Sequence, residues 1–442
     1  MTAANTAPKV VHADPTKDFF VTMITRDIKL RDCIFDLLDN AVDGARRNPH
    51  GQADKPLLGY EINIEFDGDH FKIWDNCGGI RLSDAIDYAF KFGRKAGSSA
   101  DIANGIGLYG IGMKRAIFKI GKVAQILSET VEDCFKVTVD VDEWTGREND
   151  WDFAYDDATR NGVNGTTITV TSLYPGIAAE FADPVFFNEL VKLIARDYAF
   201  FIAKGLKVSV GNQVVPSYKY QLRTNANLEP ASASYVDAGV EVRIVAGLID
   251  DIPGDIPDEL KLEDVDRYGW YIVCNDRVVL PGNKDEQTVW GDDGFKVWHP
   301  QYNGFAGFVF FQAGDPNVLP WTTTKREVDT SNPLYRRTLK AVKDVSDEFI
   351  AYTNRRKADI SVAREAEKPQ AQVDVQVLVE TRPLKLPAFT STRDPDPLVS
   401  ISYKRRKSEL DDIRRHLNDR TMSNKDVGDT TFEYYQAVEL GK

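Results

Sequence analysis

The sequence predicts an α/β protein, built as an α+β sandwich with helices on one face of a mixed or antiparallel sheet. Three observations support this class: short segments that alternate apolar and polar residues, apolar residues at helical spacing between them, and glycine-rich turns. At 442 residues the chain is long enough to bury two or three separate cores. We therefore expect more than one domain.

Residues 18–182 are predicted to form the first domain, after an N-terminal arm at 1–17. Its clearest element is a β-hairpin at 60–75, because YEINIEF and FKIWDN both alternate around the turn residues DGDH. The polar, small-residue stretch 94–105 is predicted to be a flexible loop that leads into a glycine turn. The other predicted elements are helices at 29–45 and 81–93, a glycine-rich turn within 105–121 that passes into a helix, and strands at 123–128, 135–144 and 166–174.

Residues 183–355 are predicted to form a second domain, because a strongly apolar helix pattern follows Asp183 and further alternating segments succeed it. The predicted elements are helices at 185–203 and 332–353 and strands at 207–211, 240–248, 269–280 and 304–312.

Residues 356–442 are predicted to be a linker and a partly extended tail, because prolines become frequent and large aliphatic residues become rare. A short helix is predicted at 408–419, with Ser408 as its N-cap. The aromatic segment TTFEYYQAVEL at 430–440 suggests docking on this chain or on a partner.

Composition excludes several classes of protein. The net charge of −13 argues against a protein that binds nucleic acid over much of its surface. The basic run KRRK at 404–407 has two interpretations: a local contact with nucleic acid or, more commonly, a solvated charged segment. The four cysteines are widely separated and lack a metal-ligand spacing, which suits a reducing compartment. The sequence shows neither a long uninterrupted apolar run nor a secretory signal, so we expect a cytoplasmic protein without a membrane span.

The stretch DLLDNAVDGA at 36–45 places polar residues inside a predicted helix. At about 100° per residue, Asp36, Asn40 and Asp43 fall on one face, while aliphatic residues cover much of the rest. Asp and Asn are poor interior helix residues, so either this face lines a pocket or it is a solvated outer face. The segments that follow favour the pocket.

The predicted hairpin ends in DNCGGI, which suits a purine ring. Asp75 at the strand end can accept hydrogens from an exocyclic amino group, and Gly78 and Gly79 let the base approach the backbone closely. This end of the pocket is predicted to recognise the base.

The segment GLYGIGMK at 107–114 suits a triphosphate. Gly107, Gly110 and Gly112 permit backbone N–H groups to converge at a helix N-terminus, and Lys114 adds a point charge. The Asn40 amide oxygen is a suitable magnesium ligand, since Mg²⁺ prefers hard oxygen donors. Asp36, one turn earlier, can accept a proton from an attacking water. Each feature alone is weak, and the pattern GxxxxGK[ST] is absent, but the ordered set is specific.

These motifs resemble those of the GHKL ATPases, the superfamily with the Bergerat nucleotide-binding fold. DLLDNAVDGA is similar to the family's helix motif, DNCGGI to its adenine-binding DxGxG and GLYGIGMK to its GxxGxG lid motif. NGTTITV at 164–170 resembles the later strand motif, which implies that Thr166 lies beside Asp75 at the adenine. The resemblance covers roughly 18–175 and implies that ATP and Mg²⁺ are bound.

A second set of motifs resembles the S5-like transducer domain found in MORC and MutL proteins of this superfamily. PWTTTKREVD at 320–329 is similar to the loop that brings a lysine to the γ-phosphate, which implies this role for Lys325. GWYIVCNDRVVL at 269–280 is similar to a strand with an N-x-R turn. MORC and MutL fit better than histidine kinases, which lack this domain.

The sequence departs from the family pattern at two positions. Asp36 stands where the family usually has a glutamate base, and it is one methylene shorter, so we expect slow hydrolysis. Cys77 replaces the first glycine of DxGxG, which is tolerable if its φ angle is ordinary.

The resemblance implies an ATP-driven conformational switch that forms a homodimer on ATP binding and controls a separate effector protein. By analogy alone, that effector belongs to DNA maintenance or phage defence. The alternatives are a nucleotide-binding interaction module with little or no hydrolysis, which the shorter Asp36 favours, and a chaperone-like ATPase.

Overall fold

The computed structural model describes residues 15–93, 105–106, 110–147, 150–249, 264–292, 294–357, 359–388 and 401–441. The chain forms two compact units, residues 1–389 and 390–442, and each is described by itself. The first unit contains helices and sheets of the mixed α/β class that the sequence predicts.

Two helices of the first unit, α7 Pro184–Asp197 and α10 Pro333–Arg356, begin at a residue whose side chain caps the helix. Asp183 accepts a hydrogen bond from the N–H of Val185 at 2.8 Å, and Asn332 accepts one from Leu334 at 2.9 Å. A π-helical turn at Ala85–Ala89 follows α3, so the helix predicted at 81–93 is shorter and irregular. The helices are α1 Lys17–Thr25, α2 Leu30–Arg47, α3 Leu82–Asp84, α4 Gly112–Ile120, α5 Val141–Gly146, α6 Pro175–Phe181, α7 Pro184–Asp197, α8 Ala199–Ala203, α9 Asp264–Arg267, α10 Pro333–Arg356 and α11 Ile360–Ala366.

The larger sheet has eight strands in the order β5-β4-β3-β6-β2-β1-β7-β8. The β1–β7 pair is parallel and the other pairs are antiparallel, so the sheet is mixed. The predicted strand at 135–144 ends at Asp140, which caps α5 by accepting from the N–H of Glu143 at 3.0 Å. The strands are β1 Glu61–Phe66, β2 His70–Asp75, β3 Gly121–Glu129, β4 Cys134–Asp140, β5 Tyr155–Asp157, β6 Gly165–Leu173, β7 Lys207–Val210 and β8 Gln213–Val214.

Strand β7 belongs to this first sheet, whereas the sequence pattern grouped it with the second domain. Its pairing with β1 runs from Glu61 opposite Lys207 to Ile64 opposite Val210. A short alternating segment such as KVSVG fits either sheet, because alternation specifies a half-buried strand but not its neighbour. The predicted boundary at 183 therefore separates α7, α8 and β7 from the sheet that they complete.

The second sheet has five strands in the order β10-β11-β14-β12-β13, with β12 and β14 parallel. Every residue of β12 is buried. The segment predicted as one strand at 269–280 is a hairpin, because Asn275 and Asp276 adopt positive φ angles of 47° and 68°. The strands are β10 Ala231–Asp237, β11 Val240–Leu248, β12 Gly269–Cys274, β13 Arg277–Asn283 and β14 Phe305–Gln312.

Part of the segment predicted as a linker packs on the first unit. Strand β15 Ala371–Asp374 pairs with β9 Gln221–Thr224 in a two-stranded antiparallel sheet. Further along, Arg382 and Lys385 form backbone bridges to the second sheet and the segment before it. Sequence composition indicated an extended chain but not the edge to which it adds.

The second unit contains α12 Lys407–His416 and α13 Asn424–Glu439. Arg414 on α12 donates a hydrogen bond to the carbonyl of Met422 at 2.9 Å. Phe432, Tyr434 and Tyr435 on α13 are exposed. None of the helices in the described part of the chain combines the length and apolar character that crossing a membrane requires.

We expect Gly307→Ala to destabilise the fold by about 1–3 kcal/mol, because it overpacks the second sheet. A Cβ at Gly307 would lie 2.3 Å from the ring of Trp270, which is fully buried and donates to Ser346 at 3.0 Å, so the ring cannot move aside. Gly314→Ala is the control, since nothing lies within 4 Å of its Cβ position. Equal urea midpoints for the two variants would contradict the expectation.

Candidate functional site

Helix α2 exposes one residue between 33 and 45, a range that the structure describes in full. That residue is Asn40, while Asp36, Asp39 and Asp43 are buried with exposed fractions of 6%, 2% and 8%. The predicted polar face therefore consists of one accessible amide between buried carboxylates. Its oxygen is a hard donor of the kind that Mg²⁺ accepts.

Asp36 forms a buried ion pair with Arg115 of α4, a partner that the sequence analysis missed. Asp36 Oδ2 accepts from Arg115 Nε at 3.0 Å and from an Arg115 terminal nitrogen at 2.5 Å. Gly112 lies against the same carboxylate, since a Cβ there would be 3.1 Å from Asp36 Cγ. Burial raises the pKa of Asp36, whereas the cations Lys325 and Arg115 act to lower it.

Asp75 lies at the end of β2, as predicted, and is buried. Its Oδ1 accepts backbone N–H hydrogen bonds from Cys77 at 2.8 Å and from Thr166 at 3.3 Å, so Thr166 is beside Asp75 as the resemblance implies. Burial raises the pKa of Asp75 to about 6, against the effect of these two bonds. The site thus holds a strong acceptor in a low-dielectric setting.

The backbone around Asp75 is closely packed and depends on glycine. Gly79 has a φ of 70°, and a Cβ there would lie 2.2 Å from the carbonyl oxygen of Glu129. A Cβ at Gly165 would lie 1.8 Å from the carbonyl oxygen of Asp75. Larger residues would therefore push the strand ends apart.

The glycine segment before α4 is described in part. Gly107 lies outside the described residues, Gly110 has a φ of 64° and Gly112 begins α4. The Lys114 ammonium is buried and donates to the carbonyl of Ala89 at 2.7 Å and to that of Gly110. Lys114 thus connects Ala89, at the end of the π-helical turn, to Gly110.

Gly105 and Ile106, at the start of the glycine segment, are held from two sides. The N–H of Ile106 donates to Asp43 Oδ1 at 2.7 Å, so the third polar residue of the α2 face anchors the glycine segment. The buried Asn275 amide donates to the carbonyl of Gly105 at 3.3 Å, and Arg46 of α2 donates to the Asn275 carbonyl at 2.8 Å. The β12–β13 turn therefore contacts both α2 and the glycine segment.

Lys325 reaches α2 from the loop that follows β14. Its ammonium donates to Asp39 Oδ2 at 2.9 Å, and the residue is 4% exposed with a φ of 55°. Burial acts to lower the pKa of Lys325, but Asp39 and Asp36 raise it overall. A lysine in a left-handed conformation stores backbone strain of about 1–3 kcal/mol, which the surrounding contacts must hold.

A buried ionic network fixes the Lys325 loop to the helices. Asp39 Oδ1 also accepts from Tyr198 at 2.6 Å and from Arg277 at 3.2 Å. Arg326 contacts Asp197 at the end of α7 and donates to Asp32 of α2 at 2.9 Å. The sequence analysis missed these partners; the available signal was Asp197 within the apolar stretch LVKLIARDYAFFIA.

Both ends of the site are built on α2. The Asp36 end meets Gly112, and the Gly44 end meets Cys77, where a Cβ on Gly44 would lie 2.7 Å from the Cys77 carbonyl. These positions are separated by about 12 Å along the helix axis. One helix thus aligns a buried acceptor at the strand ends with the N-terminus of α4, which can bind a base at one end and anionic groups at the other.

Comparison with known families agrees with this geometry. Residues 28–164 match the family described as Histidine kinase-, DNA gyrase B-, and HSP90-like ATPase. No curated protein matches the chain. The matched range contains α2, the β1–β2 hairpin and α4. Residues 28–164 therefore contain an ATP-binding domain of the GHKL type.

Proposed function

We propose that this protein is an ATP-driven conformational switch, in which a bound nucleotide is sensed by a lysine from outside the matched domain. The observation that supports this most is the position of Lys325, buried against Asp39 of α2 and held in a strained backbone conformation. A cation held there at a structural cost suggests a functional constraint. Residues 183–355 would then act as the transducer domain of a MORC- or MutL-like protein.

In this proposal the adenine amino group donates to Asp75, with Gly79 and Thr166 shaping the same end of the pocket. The N–H groups of Gly110 and Gly112 would face the phosphates at the start of α4. The exposed Asn40 amide oxygen would hold Mg²⁺, which supplies positive charge to the phosphate oxygens when bound. Lys114 would act indirectly on phosphate binding, by holding the backbone at Gly110 through a hydrogen bond to its carbonyl.

Asp36 is proposed as the base for hydrolysis. We expect Asp36→Asn to retain ATP affinity and to eliminate steady-state turnover, because the substitution removes basicity but little volume. Calorimetry measures the affinity, and phosphate release measures the turnover. If Asp36→Asn hydrolyses ATP at the wild-type rate, Asp36 is not the base and this assignment is wrong.

The switch itself would be a homodimer that forms on ATP binding and releases on hydrolysis. Sedimentation with a non-hydrolysable ATP analogue, with ADP and without nucleotide tests this directly. We expect dimers with the analogue alone, and monomers under all three conditions would refute the switch. The proposed output is control of a separate effector protein, placed in DNA maintenance or phage defence by analogy with the superfamily.

A second candidate function is a nucleotide-binding interaction module with little turnover. The Asp36–Arg115 ion pair favours it, because a paired carboxylate is a weak proton acceptor. A wild-type protein that binds ATP and dimerises but releases no phosphate would select this candidate.

A further inference from the structure

The ion pair between Asp36 and Arg115 is buried, and both of its hydrogen bonds reach one carboxylate oxygen. The Asp36 and Arg115 side chains are 6% and 10% exposed, and two guanidinium N–H groups point at the same oxygen, Oδ2. A Cβ added to Gly112 would lie 3.3 Å from the other carboxylate oxygen, Oδ1. The carboxylate is therefore enclosed by α4 on both oxygens.

The neighbouring acids of α2 are bound by other groups. Asp39 accepts from Lys325, Tyr198 and Arg277, and Asp43 accepts from the N–H of Ile106. Arg115 is therefore the cation that donates hydrogen bonds to Asp36, while Lys325 lowers and Asp39 raises the pKa of Asp36 through their charges.

We propose that Arg115 restrains Asp36 in an ion pair that must open before the carboxylate can act on water, so that Arg115 keeps the ATP-bound state long-lived. This inference rests on the proposed function, in which Asp36 is the base. Arg115 is here a positioning residue that acts through Asp36.

The chemistry of the step explains the restraint. As the water oxygen bonds to the γ-phosphorus, the bond from that phosphorus to the ADP oxygen breaks, and the water proton passes to the Asp36 carboxylate. A protonated Asp36 is neutral and loses the charge-assisted bonds to Arg115, so proton acceptance inside the pair is disfavoured. The barrier includes opening of the pair, which burial makes costly because it leaves Arg115 without its counter-ion.

The test compares two variants. Arg115→Met removes the positive charge and keeps a long side chain, whereas Arg115→Lys keeps the charge and removes the planar guanidinium with its paired N–H donors. We expect Arg115→Met to raise kcat roughly tenfold or more, the factor for one charge-assisted hydrogen bond, with unchanged ATP affinity. We expect Arg115→Lys to lie between wild type and Arg115→Met. The acid limb of the kcat profile should move to higher pH in Arg115→Met, because loss of the cation raises the pKa of Asp36.

Two further measurements make the result decisive. Arg115→Met in an Asp36→Asn background should show no turnover, and urea unfolding establishes that each variant is folded. A folded, ATP-binding Arg115→Met, or the milder Arg115→Lys, with kcat at or below the wild-type value and an unmoved acid limb would overturn the inference. If wild type binds no ATP in calorimetry, the proposed function fails instead, so the two failures are distinguishable.

Discussion

Asp75→Asn is expected to abolish ATP binding while leaving the fold intact. The side-chain oxygen of the asparagine can still accept from the N–H groups of Cys77 and Thr166, so the strand ends stay in place. Its amide nitrogen, however, would present a donor to the donating amino group of adenine. The loss of one charge-assisted bond is typically about 1.5–3 kcal/mol, and the donor clash adds to it.

Calorimetry with ATP and with ADP measures this loss, and Asp69→Asn in the exposed β1–β2 turn is the matched control. Wild-type affinity in Asp75→Asn would refute the adenine assignment. The wild-type protein supplies a second readout: since burial raises the pKa of Asp75 to about 6, its ATP affinity should fall as pH decreases through that value. Below pH 6 the Asp75 carboxyl group is mostly protonated, and its O–H is a hydrogen-bond donor facing the amino group of adenine.

Lys325→Ala is expected to bind ATP and ADP with similar affinity and to show no ATP-specific dimerisation. The ammonium is supplied by a loop outside the matched domain, so in the proposed switch it would distinguish nucleotides only when it reaches the γ-phosphate. A ligand shifts an equilibrium only by its differential affinity for the two states, and removal of Lys325 removes much of that difference. We expect the ATP preference to fall roughly tenfold to a hundredfold.

Sedimentation with the non-hydrolysable analogue gives the readout, and Lys340→Ala on the exposed face of α10 matches the change in charge. Lys325→Met separates the charge from the packing of the side chain, and it should behave as Lys325→Ala does. Dimerisation of either Lys325 variant at the wild-type level would leave TTTK as a polar loop and would remove the main support for the transducer assignment.

Local features of the site were predictable from the sequence, whereas its long-range partners were not. The end of β2 at Asp75 and the start of α4 at Gly112 follow from alternation and from glycine placement. The partner of Asp36, in contrast, could not be predicted from the sequence. Nothing in the spacing of Arg115 indicates which acid it meets, because that depends on how α2 and α4 pack.

The same limit applies to the buried network. Asp197, Arg277 and Arg326 come from three distant segments and meet only in the folded chain. Sequence patterns report which face of an element is buried, and charged residues on such a face are evidence of a partner without identifying it. The same limit applies to the pairing of backbone strands. The alternating pattern of β7 fits more than one sheet edge, so the sequence does not indicate that β7 pairs with β1.

The parallel pairing of β1 with β7 limits how this protein can be divided by recombination. A gene junction at residue 183 would join the matched domain to a new C-terminal part without β7, leaving the N–H and C=O groups along that side of β1 unpaired. The same junction would remove Tyr198 and Arg277, which donate hydrogen bonds to Asp39 of α2. The proposed nucleotide-binding part and the proposed sensing loop are therefore expected to be inherited together.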